Sequence, residues 1–86
     1  MKAFEVTWDF DAETALARIY LIAKDPNSIW PAQHKVDRKL EQQPQLVGFE
    51  LSEGLWQIIQ PPIKVFYEID DVKRIVTVTH IELMGK

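Results

Sequence analysis

His80 is the side chain here best suited to exchanging a proton at neutral pH, since imidazole titrates in that range. Glu82, two residues on, and Glu53 are the carboxylates that can assist or orient it, provided the fold brings them together. A surface or simply hydrogen-bonded histidine is the plainer reading. Trp56 and Phe66 can stack on nucleic-acid bases, or meet a partner protein, if they lie on an open sheet face. Packing is the more common fate of an aromatic on a strand. His34 falls among solvated helix residues and receives no role. Two separated histidines without a cysteine make a poor metal site, so no metal and no other cofactor is expected.

The elements that must position these residues are dominated by residues 55–83, LWQIIQPPIKVFYEIDDVKRIVTVTHIEL. Ile, Val, Phe, Tyr, Trp and Thr fit a pleated, half-buried surface, so the stretch predicts three consecutive antiparallel strands. Pro61-Pro62 lacks the N–H groups a ladder needs and belongs in the first connection. Asp70-Asp71-Val72-Lys73 is short and polar, as a hairpin turn should be. Period-two alternation puts Lys64, Phe66 and Glu68 on one face, and Ile63, Val65, Tyr67 and Ile69 on the core face. On the last strand Val76, Val78, His80 and Glu82 share a face, opposite Ile75, Thr77, Thr79, Ile81 and Leu83. Whether His80 lies beside Lys64 depends on register, and a one-residue slip would reverse it.

Upstream, FEVTW (residues 4–8) alternates like a half-buried strand, with Phe4, Val6 and Trp8 on one side. Asp11 is placed to cap a helix whose apolar stripe is Ala12, Ala15, Leu16, Ile19, Ile22 and Ala23, widened by Tyr20 and Leu21. The Asp25-Pro26 step ends it. A second helix can start from Asp25 or from Ser28. Ser28 is preferred because it places Pro31 in the first turn, where the missing N–H is harmless. Ile29, Ala32, Val36 and Leu40 then form the buried stripe. Residues 44–54, with Gly48 and Gly54 and no clean period, are expected to be a loop. The expected fold is α+β: β-α-α-β-β-β, two helices on one face of a four-stranded, mostly antiparallel sheet, with the other face open.

Eighty-six residues make a single domain, residues 1–86, with room for one modest core. An apolar fraction of 47% excludes a disordered chain. The absence of cysteine removes a disulfide framework and permits a reducing compartment. No apolar run approaches a membrane span, and Met1-Lys2 leads into strand-like sequence instead of a signal peptide, so a cytoplasmic protein is expected. With 10 basic residues against 13 acidic ones and a pI near 5.3, the chain lacks the usual electrostatic footprint of a nucleic-acid binder.

Several stretches together resemble the RelE/ParE family of toxins from bacterial type II toxin–antitoxin, or plasmid-stabilisation, systems. They are FEVTW, DAETALARIYLIA, KVDRKLEQQP followed by Gly48, and above all PPIKVFYEID leading to RIVTVTHIEL. The likeness covers nearly the whole chain. It implies a two-layer fold and a cognate antitoxin as partner, with no membrane. It does not by itself imply an activity, since RelE-like members cut messenger RNA on the ribosome whereas ParE-like members act on DNA gyrase. Lys64 matches the family's arginine on the corresponding strand, and the resemblance makes it a candidate phosphate-binding or catalytic residue, though without arginine's paired donors. His80 and Glu82 stand where the family has basic, histidine or tyrosine residues. The chain departs from the ribonuclease pattern at Leu55, Trp56, Gln57 and Ile58, where those members carry lysines or arginines. The resemblance thus implies an antitoxin-binding toxin, with a weak or degenerate messenger-RNA interferase, a gyrase inhibitor and a non-catalytic binder as the alternatives.

Overall fold

Alternating apolar residues pleat five segments into one sheet: β1 (Glu5–Trp8), β2 (Phe49–Ser52), β3 (Leu55–Gln60), β4 (Ile63–Asp70) and β5 (Ile75–Leu83). The computed structural model describes residues 3–84; Met1, Lys2, Gly85 and Lys86 lie outside the described residues. The strand order is β1-β5-β4-β3-β2. β1 runs parallel to β5, and all other neighbours are antiparallel. The helices are α1 (Phe10–Ile22), α2 (Ile29–Gln42), preceded by a 3-10 turn at Pro26–Ser28, and the single turn α3 (Pro44–Val47). No helix among the described residues is long and apolar enough to cross a membrane.

The core lies between the helices and one face of the sheet. Ala12, Ala15 and Ile19 from α1 and Ile29, Ala32, Val36 and Leu40 from α2 meet Ile58, Ile63, Val65, Tyr67, Val76, Val78 and Ile81. Their helical spacing of three and four residues turns one stripe of each helix onto the sheet. Each fully buried aliphatic side chain contributes about 1.5 to 3 kcal/mol relative to exposure. The second helix therefore packs as its sequence predicts, and the Pro61-Pro62 step, a cis bond, lies in the β3–β4 connection.

Four expectations change. The sheet has five strands instead of four, because residues 44–54 are not a loop: they form α3, β2 and a two-residue turn into β3. β2 alternates Phe49 and Leu51 with Glu50 and Ser52, but over only four residues, all of them exposed, which is too short a pattern to stand out between two glycines. Asp9 caps α1, its Oδ1 accepting from Ala12 N–H at 2.9 Å, while Asp11 supplies first-turn charge. Ser28 does precede α2, but its hydroxyl turns back to donate to the Asp25 carbonyl at 2.8 Å and caps nothing. Finally, Leu21 and Ile22 are exposed at the end of the α1 stripe, where the chain leaves helical geometry at Ala23, so Leu21 does not widen the buried face.

Candidate functional site

Between β4 and β5 the register fixes where the candidate residues stand. Lys64 pairs with Glu82, Val65 with Ile81 and Phe66 with His80; the next pair is Tyr67 with Val78. Thr79 is thus left over in a β-bulge. An extra residue on one strand reverses which face the following side chains take. Before the bulge Val76 and Val78 face the core; after it Ile81 and Leu83 do. The uniform face expected for Val76, Val78, His80 and Glu82 is therefore broken at Thr79, and His80 and Glu82 join Lys64 and Phe66 on the open face.

There, the Phe66 and His80 rings lie 5.9 Å apart and tilted, and His80 Nε2 is 3.6 Å from Glu82 Oε2. Both of the latter side chains are about half exposed. Lys64 is the cross-strand neighbour of Glu82. A histidine, a carboxylate and a cation so arranged can in principle move a proton beside an anion. Glu53 sits instead in the β2–β3 turn, away from this group. Trp56 corrects the expectation of an open-face aromatic. It pairs with Tyr67, stacks on that ring at 6.3 Å, and packs against the core, because it shares the face of Ile58 two residues on. Among the described residues no group of His, Cys, Asp and Glu could hold a metal ion.

The same register reveals residues that sequence reasoning did not single out. Phe49, Gln57, Phe66 and His80 form one row across four strands, and Ile59, Lys64 and Glu82 form the next. Phe49 is 51% exposed and Ile59 43%, whereas Gln57, between two phenylalanines, is 8% exposed. Towards the other end stand Thr7, Thr77 and Glu68, then Glu5, Ile75 and Asp70. Thr7 and Thr77 share this face, their hydroxyls 3.5 Å apart. Among the described strand residues the open face accordingly carries four carboxylates, Glu5, Glu68, Asp70 and Glu82, and one lysine, Lys64. One signal could have found Phe49: FELS and LWQIIQ are separated only by Glu53-Gly54, a hairpin turn with Gly54 at φ +85°.

Behind the sheet, Tyr67 and Asp37 fix the frame. The buried Tyr67 hydroxyl donates to the Pro44 carbonyl at 2.7 Å and anchors α3, the lead-in to β2; burial pushes its pKa up to about 12. Asp37 accepts from Trp8 Nε1 at 3.2 Å, tying α2 to β1. Burial raises the Asp37 carboxyl above the ordinary range; the bond from Trp8 opposes that, nearby Glu41 adds to it and His34 opposes it.

No protein-family model matches the sequence, and no curated protein matches it. Solved structures do. A chain of the RelBE2 toxin–antitoxin complex from Mycobacterium tuberculosis superposes with a TM-score of 0.82 at 18% identity, covering 100% of this chain and 97% of that one. A chain of the ParDE system from P. aeruginosa gives 0.70 at 14% identity, covering 96% and 98%. The isolated E. coli RelE toxin gives 0.65 at 16% identity, covering 98% and 87%. This chain has the RelE/ParE toxin fold. The match extends over nearly the whole chain, so the arrangement of sheet and helices is shared, while the identity of 18% or less leaves the side chains of the open face to be read from this chain itself.

Proposed function

We propose that this chain, acting as one domain, is the toxin-fold component of a bacterial, cytoplasmic toxin–antitoxin pair of the plasmid-stabilising type, and that its principal work is binding the antitoxin protein. The observation that carries this is the make-up of the open face. Phe49, Phe66 and Ile59 expose apolar surface there, and among the described strand residues four carboxylates outnumber one lysine. Such a face repels a phosphate backbone, which draws its affinity from lysine and arginine. It suits a polypeptide that can cover the apolar rows and meet the charges.

Ribosome-dependent cleavage of messenger RNA is the second reading, favoured by one contact, the 3.6 Å approach of His80 to Glu82 beside Lys64. In that role His80 would take the 2'-hydroxyl proton, Glu82 would orient it and Lys64 would meet the scissile phosphate.

Expression of the chain without its genomic neighbour separates these readings. Stable co-purification with the product of an adjacent small reading frame, without growth arrest or with arrest that leaves messenger RNA intact, is the expected result. Codon-positioned cuts that vanish in Lys64→Ala and His80→Gln would establish the nuclease instead. Arrest accompanied by DNA damage would point to gyrase. Failure to bind the neighbour's product would overturn the proposal.

A further inference from the structure

The charges on the open face are not spread evenly. Glu68 and Asp70 stand at alternate positions near the end of β4, and Glu5 joins them across Ile75, so three carboxylates lie in two adjoining rows, Asp70 with one oxygen accepting from Lys73 N–H of the turn at 3.0 Å. Arg74, in the turn that follows β4, has its guanidinium 4.6 Å from the centroid of the buried Phe4 ring and 3.9 Å from Asp71. Glu68 pairs across the strands with the neutral Thr77. At the other end of the face Lys64 adjoins Glu82, and between the ends run Phe66, Gln57 and the half-exposed Phe49. Successive rows are separated by two residues, roughly 7 Å along a strand. An extended polypeptide laid over the sheet presents its alternate side chains at the same interval.

We propose that the partner segment seated on this face is an extended, basic and apolar stretch, with lysine or arginine at alternate positions over Glu5, Glu68 and Asp70, and apolar side chains following over Phe66 and Phe49. This deepens the antitoxin reading and rests on it for the identity of the partner. It is the inverse of what a basic, RNA-gripping sheet would require, because here the toxin-fold chain supplies the carboxylates and its partner the cations. The apolar rows supply area, and the acidic end sets direction and discriminates against acidic segments.

The test uses the full chain with two short synthetic peptides. In one, lysines and then leucines alternate with threonine; in the other, glutamate replaces lysine. Binding is followed by calorimetry and by amide shifts of Phe66, Glu68 and Thr77. The lysine peptide should bind, shift those amides and weaken as salt rises. The glutamate peptide should bind at least about tenfold more weakly. The double variant Glu5→Lys/Glu68→Lys should reverse that order, while Glu13→Lys/Asp25→Lys, two equal charge changes on the helical layer, should leave it intact. Equal binding of the two peptides, loss of binding in the helical control, or preferential capture of single-stranded oligouridylate would overturn the proposal. The purified neighbour separates the two levels of inference. If its product binds and Glu5→Lys/Glu68→Lys leaves that affinity unchanged, the basic-segment proposal fails and the antitoxin reading stands. If the lysine peptide binds this face and the neighbour does not, the antitoxin reading fails alone.

Discussion

Replacing Gly48 by alanine tests the joint that hangs β2, and with it Phe49, on the sheet. A methyl group on Gly48 would overlap the Tyr67 hydroxyl oxygen and lie 2.5 Å from the Gln57 carbonyl oxygen. The hydroxyl is buried and held by its bond to the Pro44 carbonyl, so it cannot swing away freely. Either Tyr67 leaves Pro44, stranding a buried acceptor at about 1 to 3 kcal/mol, or β2 moves off β3 with overpacking strain of similar size. The expected loss is therefore about 1 to 3 kcal/mol whichever way the clash is relieved, a large share of the stability of so short a chain. Urea unfolding followed by tryptophan fluorescence should show the midpoint falling by roughly 1 M or more, given a slope of about 1 kcal/mol/M. Tyr67→Phe alone removes the Pro44 bond at about 1 to 3 kcal/mol, yet it also removes the oxygen that the new methyl strikes. The double variant should then be less destabilised than the two singles added together, by about 1 kcal/mol. A Gly48→Ala midpoint within error of the parent, or strict additivity with Tyr67→Phe, would refute the argument.

Three further predictions follow from the same contacts. Trp56→Ala should destabilise by about 2 kcal/mol because the ring covers Tyr67, whereas Phe66→Ala should change stability by less than half that and weaken partner binding instead; paired unfolding and binding measurements decide between the faces. Asp37→Asn should hold or raise the urea midpoint at pH 7, because the raised carboxyl binds its proton more tightly in the folded state and so loses stabilisation as pH climbs above 3.8; a lower midpoint for the variant would contradict this. The unfolded phenol ionises near 10.0 while the folded Tyr67 holds its proton to about 12, so stability should fall as pH rises through that window, and Tyr67→Phe should flatten that part of the profile.

Much of this frame was legible in the sequence, and the omissions share a cause. Hydrophobic periodicity marks residues that are buried on one side, which is why α2, the core face of β4, and the stripe of α1 up to Ile19 emerge from spacing alone. β2 has no buried side and only four residues, so the alternation of Phe49 and Leu51 with Glu50 and Ser52 is too brief to read as a strand without the short turn through Gly54. The cap of α1 fell between two aspartates, Asp9 and Asp11, that composition treats alike; the bond to Ala12 distinguishes them. Trp56 was ambiguous for a related reason, since a tryptophan is at home on either face of a strand.

The bulge at Thr79 is the one local irregularity on which the chemistry of the open face depends. Were β5 regular from Val76 onward, His80 and Glu82 would share the face of Val76 and Val78 and point into the helical layer, where ionised groups without partners are costly to bury. Ile81 and Leu83 would in turn be driven into solvent. The doubled position lets one strand satisfy both demands: Val76, Val78, Ile81 and Leu83 all reach the core, and His80 and Glu82 emerge beside Phe66 and Lys64. Strict alternation has no means of representing that step, although the run Val78-Thr79-His80-Ile81 contains its trace, two polar residues in succession between two buried aliphatics. The face that a partner would meet is thus set less by which residues the strand contains than by where its pairing skips.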